Sequence, residues 1–130
     1  MADPAGKRIL VVDDASLVRR FYRDALERAG FEVDEALNGV EALEKVLGDD
    51  SYDLVVVDVN MPQMDGMTFL RTLRRQSAAV SSLPSLVIST EAARQDAVAA
   101  RAAGANFYLV KPVSQEQLVE HVSIMCGLPT

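Results

Sequence analysis

The sequence is poor in cysteine, in aromatic side chains and in long apolar runs. Its 130 residues include a single cysteine, Cys126, so no disulfide can form within the chain, and this favours a cytoplasmic location. No apolar run approaches the roughly 20 residues that span a bilayer, and the first residues lack the basic stretch and apolar core of a signal peptide. We therefore expect neither disulfide bonds nor a membrane segment.

Basic charge is also scarce. The chain has 13 lysines and arginines against 19 aspartates and glutamates, which gives a net charge of −6. A nucleic-acid interface needs a basic footprint to neutralise phosphates, so we expect no direct binding of nucleic acid. A chain of this charge is better suited to partner proteins with basic or mixed surfaces.

Short apolar runs alternate with longer amphipathic segments along almost the whole chain. Four runs are dominated by Val, Ile and Leu or by aromatic residues, and they cover Ile9–Val12, Leu54–Val57, Ser85–Ile88 and Phe107–Val110. Runs that are apolar on both faces indicate strands covered on both sides of a parallel sheet. A weaker segment, Glu32–Ala36, alternates in polarity and is predicted to lie at a sheet edge.

A helical pattern follows each of these strands. The first helix has apolar residues at spacings of three and four, namely Val18, Phe21, Tyr22, Ala25, Leu26 and Ala29. We predict Ser16 as its N-cap and Gly30 as its end. Four more helices are predicted, around Val40–Leu47, Phe69–Leu73 and Ala92–Ala103, and from the cap Ser114 to about Met125. Five strand–helix units in this order predict an α/β fold with a doubly wound, five-stranded parallel sheet.

Polar residues follow four of the five predicted strands. In an open parallel sheet, functional groups gather beyond the carboxyl ends of the strands. Asp13 and Asp14 follow the first strand, Asp58 the third, Ser89 ends the fourth and Lys111 follows the fifth. A single acidic residue at such a place often only caps the next helix, but four polar strand ends on one side favour a site.

The charges of this cluster indicate its chemistry. Three carboxylates repel one another and Lys111 offsets only one of them, so an oxygen-only site for a divalent cation is predicted, with Mg²⁺ as the natural candidate. A metal beside a carboxylate can draw a phosphoryl group onto it, and Asp58, at the start of an irregular loop, is the predicted acceptor. We expect Lys111 to pair with Asp58 and later with a phosphate oxygen, and Ser89 to hydrogen-bond another phosphate oxygen.

At these residues the sequence resembles the receiver domains of response regulators, and among them the CheY-like, chemotaxis-type single-domain regulators. The matching stretches are Ile9–Asp14, Asp58–Gly66, Ser89–Ala92, Gly104–Ala105 and Tyr108–Pro112. The resemblance implies a flavodoxin-like, CheY-like (βα)5 fold with three α/β/α layers. It also implies a receiver domain over residues 8–127, after a disordered tail at residues 1–7.

The resemblance implies a role for each site residue. Asp58 would accept phosphate from a histidine kinase or phosphotransfer protein in a two-component system. Asp13, Asp14 and Asp58 would surround Mg²⁺, with the backbone carbonyl of Asn60 as a further ligand. Glu91, together with Asn60, would shape the path of attacking water and favour quick self-dephosphorylation, although both residues also suit a loop and a helix start. The protein would be a signalling switch and not an enzyme acting on other substrates.

Further expectations concern Lys111 and the output of the switch. The resemblance implies a cis peptide bond between Lys111 and Pro112, which is physically plausible because only X–Pro bonds adopt the cis form at a low cost. Ser89 is expected to move toward the phosphorylated aspartate, after which Tyr108 turns inward. The face of the fourth helix, fifth strand and fifth helix would then change its binding to a downstream target, such as a flagellar motor switch or another effector. Tyr108 could instead be a partly exposed aromatic near the sheet edge.

Other interpretations stay open. A haloacid-dehalogenase-type phosphatase also uses an aspartate after a strand, but it needs a second aspartate two residues on, where this chain has Asn60. A receiver-shaped module that is never phosphorylated finds no support, because every expected site residue is present. The sequence is equally consistent with a stand-alone protein and with the receiver domain of a larger regulator. The pairs Arg19–Arg20 and Arg74–Arg75 are predicted to be solvated, and His121 to be solvated or packed on the last helix.

Overall fold

Five parallel strands form one sheet in a computed structural model of the chain, which describes residues 6–48, 51–59, 64–90 and 94–128. The strands are β1 (Arg8–Val12), β2 (Glu32–Ala36), β3 (Leu54–Asp58), β4 (Ser85–Ser89) and β5 (Phe107–Val110). Their order is β2-β1-β3-β4-β5, and all four neighbouring pairs are parallel. The predicted doubly wound α/β sheet is therefore confirmed.

Helices connect the strands. They are α1 (Ser16–Arg28), α2 (Gly39–Leu47), α3 (Gly66–Arg74), α4 (Ala78–Ser81), α5 (Arg94–Ala103) and α6 (Gln115–Met125). The predicted fourth and fifth helices correspond to α5 and α6, and Ala92, the expected start of the fourth, lies outside the described residues. The single turn α4 was not predicted, because four residues are too few to show a helical period. Within the described ranges, no helix is long and apolar enough to cross a membrane.

Two apolar clusters cover the two faces of the sheet. Successive side chains of a strand point to opposite faces, so Leu10 and Val12 belong to one cluster while Ile9 and Val11 belong to the other. The helices α2, α3 and α5 close the first face, and α1 and α6 close the second. This arrangement gives the three α/β/α layers that the resemblance implied.

The two edge strands differ from the three central ones. The alternating strand β2 lies at one edge as predicted, and β5 lies at the other. The expectation that β5 is covered on both sides was wrong, since Phe107 is 44% exposed and Val110 is 40% exposed. An edge strand has a neighbour on one side only, and α5 buries only the small residues Ala100 and Ala103.

The start of α1 also differs from its prediction. Ala15 is the N-cap, and Ser16 is the first helical residue, without a side-chain capping bond. The carboxylate of Asp13 accepts the N–H of Ala15 instead, at 2.9 Å. The predicted cap Ser114 is confirmed on α6, where its hydroxyl accepts from the backbone N–H of Gln117 in a reciprocal capping box.

Candidate functional site

Charged side chains from three strand ends meet at the carboxyl edge of the sheet. Carboxylate oxygens of Asp13, Asp14 and Asp58 lie within 4.8 Å of one another. The ammonium nitrogen of Lys111 lies 3.5 Å from Oδ2 of Asp13 and 3.6 Å from Oδ1 of Asp58. The structure thus brings together four of the residues that sequence analysis selected.

The position of Asp58 follows from the register of the sheet and from one glycine. Val12, the last residue of β1, pairs with Val57, so Asp13 and Asp58 leave neighbouring strands at the same level. The helix α3 begins against the backbone of Asp58, where a Cβ on Gly66 would collide with the carbonyl oxygen of Asp58. Gly66 also donates its N–H to the carbonyl of Val59 at 2.9 Å, which ties the start of α3 to the residue after Asp58.

The two oxygens of Asp13 have different surroundings. Its Oδ1 accepts the N–H of Ala15, whereas its Oδ2 is buried and has no hydrogen-bond donor among the described residues. Leaving such an oxygen buried without a donor is unfavourable, and Lys111 at 3.5 Å is the positive group that faces it. Three close carboxylates with one unsatisfied oxygen fit a hard divalent cation, which prefers oxygen ligands.

The negative charge of the cluster affects the pKa of a tyrosine on α1. Burial raises the pKa of Tyr22 to about 12, and the charges of Asp13 and Asp58 add to that rise. The phenol of Tyr22 therefore keeps its proton to a higher pH than a free tyrosine, because its ionised form would be buried near the carboxylates of Asp13 and Asp58. A net negative site of this kind attracts cations and needs positive charge before it can hold a phosphoryl group.

The fourth and fifth strands contribute the remaining predicted residues. Ser89 ends β4 and is fully buried, and its carbonyl accepts the N–H of Lys111 at 2.7 Å. Tyr108 pairs with Val87 and packs, half-buried, against the cluster that α2, α3 and α5 cover. The peptide bond between Lys111 and Pro112 is cis.

Two predicted residues, Asn60 and Glu91, lie outside the described residues. Two arginines that were predicted to be solvated are not: Arg19 is buried and hydrogen-bonds Asp13 and Glu35, and Arg74 is half-buried among several carbonyl groups. Arg19 stands three residues before Tyr22 and seven before Leu26, so the helical period already placed it on the buried face. His121 makes an edge-on ring contact with Phe107, in keeping with a packing role.

A doubly wound sheet with an acidic triad and a lysine at its carboxyl edge defines a small class of α/β domains, and comparison with known proteins identifies which one. Residues 9–123 match the family model described as the response regulator receiver domain. The chain belongs to this family, whose members are the receiver domains of two-component systems.

Individual relatives agree with this assignment. The chain is 36% identical over 121 residues to the chemotaxis protein CheY1 of Helicobacter pylori, covering 92% of this chain and 97% of the relative. It is 32% identical over 121 residues to the chemotaxis protein CheY homolog of Campylobacter jejuni, with 92% of each chain covered. Among solved structures, the chemotaxis response regulator CheY4 of Vibrio cholerae matches with a TM-score of 0.85 and 34% identity, covering 92% of this chain and 98% of that one.

The receiver domain of the Francisella response regulator 1452 is also similar in structure. It matches with a TM-score of 0.87 and 29% identity, and the alignment covers 94% of this chain and 98% of that one. The fold of this chain is therefore the CheY-like fold, and the protein is a response regulator domain that acts as a signalling switch.

Proposed function

We propose that this receiver domain takes a phosphoryl group from a histidine kinase, or from a phosphotransfer protein, onto Asp58. The observation that carries the proposal is the position of the Asp58 carboxylate, which lies beside Asp13 and Asp14 and 3.6 Å from the ammonium group of Lys111. A nucleophile, ligands for a cation and a fixed positive charge thus face the same point.

In the proposed transfer, a carboxylate oxygen of Asp58 attacks the phosphorus of a phosphohistidine. The new O–P bond forms as the P–N bond breaks, and the electron pair of that bond stays on the imidazole nitrogen, which takes up a proton. Lys111 offsets charge on one phosphoryl oxygen, and the hydroxyl of Ser89 donates a hydrogen bond to another. The phosphoryl group thereby passes from one nucleophile to the other, and solvent supplies the proton that the imidazole nitrogen takes up.

A divalent cation fits the site, and Mg²⁺ is the one that we propose. Asp13, Asp14 and Asp58 would hold it, with the carbonyl of Asn60, outside the described residues, as a further ligand. When bound, it would offset the charge of the phosphoryl oxygens against that of the carboxylates. The unsatisfied Oδ2 of Asp13 supports this assignment.

The test is labelling with a small phosphodonor. Incubation with acetyl phosphate and Mg²⁺ should add one phosphoryl mass to the wild-type chain and none to Asp58→Asn. The matched control is Asp24→Asn, an exposed aspartate on α1, which should be labelled like the wild type. Undiminished labelling of Asp58→Asn, or of the wild type in a chelator, would falsify the proposal.

We also propose an output face made of α5, β5 and α6. A groove of about 540 Å³ lies between α5 and β5, lined by residues that include Val98, Arg101, Phe107 and Tyr108. Ser89 and Tyr108 would act as the switch residues that couple this face to Asp58. Exposed apolar and basic groups side by side suit a downstream protein target with an apolar anchor and acidic neighbours.

The pathway proposed for this switch is chemotaxis, because relatives in Helicobacter pylori and Campylobacter jejuni carry that name. The target would then be a flagellar motor switch or another effector in the cytoplasm. We further propose that residues 8–127 form the receiver domain. Asn60 and Glu91 would set the rate of dephosphorylation. The protein would catalyse only its own phosphorylation and dephosphorylation.

A further inference from the structure

Arg19 of α1 is a buried arginine that joins the acidic site to the edge strand β2. Its side chain is only 10% exposed. Its Nη1 donates to the backbone carbonyl of Asp13 at 2.6 Å, and its Nε donates to Oε1 of Glu35 at 2.9 Å. One of these donors therefore binds the residue that follows β1, and the other binds a residue of β2.

Glu35 is itself held as a charged partner. Arg23, one turn after Arg19 on the same helix, donates to the other carboxylate oxygen of Glu35 at 2.7 Å. Burial on its own would raise the pKa of Glu35, but the hydrogen bonds and positive charges of Arg23 and Arg19 lower it overall. The carboxylate is thus ionised at neutral pH and keeps the Arg19 guanidinium in one orientation.

The backbone of Asp13 is fixed on both sides as a result. Its N–H donates to the carbonyl of Ala36 at 3.2 Å, its carbonyl accepts from Arg19, and its Oδ1 accepts from Ala15. With these groups occupied, the buried Oδ2 of Asp13 has no hydrogen-bond donor among the residues that the structure describes. Asp14 is the next residue in the chain, so the position of its backbone depends on how Asp13 is held.

We propose that Arg19 is a positioning residue for the cation site: with Glu35 it holds the chain at Asp13, so that the carboxylates of Asp13 and Asp14 face Asp58. The inference rests on the proposed Mg²⁺-dependent function of that site. Arg19 does not touch the cation in this scheme, and it acts only through the backbone of Asp13.

Charge and geometry make opposite predictions for this arginine. Arg19 is a positive group next to an acidic cluster, so its removal would strengthen cation binding if only Coulomb attraction mattered. If Arg19 positions the ligands, its removal weakens binding, because partners of this kind typically contribute about tenfold or more to metal affinity. The direction of the change therefore separates the two roles.

The experiment is a calorimetric Mg²⁺ titration of the unphosphorylated protein. Arg19→Ala should bind Mg²⁺ about tenfold more weakly than the wild type. The control Arg20→Ala removes the same charge from the exposed neighbouring position and should stay within about twofold. In the metal-free proteins, the backbone amide resonances of Asp14 and Ala15 should shift in Arg19→Ala and not in Arg20→Ala.

Equal or tighter binding by folded Arg19→Ala overturns the positioning role. If circular dichroism shows that this variant does not fold, Arg19→Lys decides on the same criterion. Lysine keeps the charge but lacks the fork that reaches two acceptors, so its Mg²⁺ affinity should fall by about threefold, and affinity equal to the wild type rejects the inference. Absence of Mg²⁺ binding in the wild type rejects the proposed function itself.

Discussion

At the scale of single residues, the two carboxylate oxygens of Asp13 have different roles, one in the local structure and one in the site. One oxygen of Asp13 accepts the N–H of Ala15, the residue that precedes the first helical residue of α1. The other oxygen faces Lys111 and has no hydrogen-bond donor within the described part of the chain. The same aspartate therefore orients the helix and presents a ligand atom, which is why its backbone must be held firmly.

Tyr22 supplies a prediction about alkaline pH. Its pKa is raised from 10.0 to about 12 by burial and by the charges of Asp13 and Asp58, so the folded protein keeps a proton that the unfolded chain loses. The stability that this contributes is fully present below pH 10 and is lost as pH rises toward 12. The free energy of unfolding of the wild type should therefore fall more steeply over this window than that of Tyr22→Phe.

Urea unfolding at several pH values measures both slopes. Parallel curves for wild type and Tyr22→Phe would mean that the phenol titrates equally in both states, and the proposed electrostatic link to the site would be lost.

At the scale of elements, much of the architecture could be predicted from local patterns. The central strands are continuous apolar runs, and parallel strands place their ends at one edge, so the sequence alone is enough to group Asp13, Asp58 and Lys111. The burial of Arg19 follows from the helical period of α1. The burial of Arg74, by contrast, could not be predicted in the same way, because it depends on carbonyl groups from segments that are distant in sequence. The exposure of β5 likewise depends on tertiary packing, because the alanine-rich α5 has no large apolar side chains that cover this strand.

Arg74, the last residue of α3, hydrogen-bonds to α4, to the loop after α4, to β4 and to the turn after α5. Its guanidinium donates to the carbonyls of Ser81, Leu83 and Gly104 at 2.6 to 3.0 Å. It also donates to the hydroxyl of Ser85, the first residue of β4. Gly104 leaves room for this side chain, since a Cβ there would meet it, and its φ of 120° suits glycine.

We predict that Arg74→Ala lowers the free energy of unfolding by about 3 kcal/mol, because it leaves several partly buried carbonyl groups without this donor. The neighbouring exposed Arg75→Ala should change it by less than about 0.5 kcal/mol. Chemical denaturation of the three proteins provides the comparison. A loss for Arg74→Ala no larger than that for Arg75→Ala would show that solvent replaces these hydrogen bonds without penalty.

At the scale of the whole molecule, the second half of α5 is packed against the protein more closely than its first half. Its buried residues within the described range, Ala100 and Ala103, lie in its second half, and the turn that follows is bound to Arg74 through Gly104. Its first half presents Arg94 and Val98 to solvent. A helix that is anchored at its C-terminal end and buries little apolar area elsewhere can shift with a small change in free energy.

The last prediction follows from that asymmetry and concerns the coupling between Asp58 and the output face. In the proposed switch, a phosphoryl group on Asp58 would offer new acceptor oxygens, and Ser89, which is buried at the end of β4, would donate to one of them. Its movement would open space beside Tyr108 on the neighbouring strand, and the first half of α5 would follow while Gly104 stays in place. Arrangements that differ by only a few kcal/mol are enough for phosphorylation to shift their populations.

Beryllofluoride, a mimic of the phosphoryl group, tests this coupling by NMR. With Mg²⁺ and beryllofluoride, amide resonances should change at Tyr108 and over residues 94–99, and they should change much less around Gly104. Asp58→Asn treated in the same way should show none of these changes. Ser89→Ala should respond near Asp58 but not at Tyr108, because the hydroxyl that carries the movement is gone. If wild-type changes are confined to the loops around Asp58, the site acts through local charge alone and α5 is not its output.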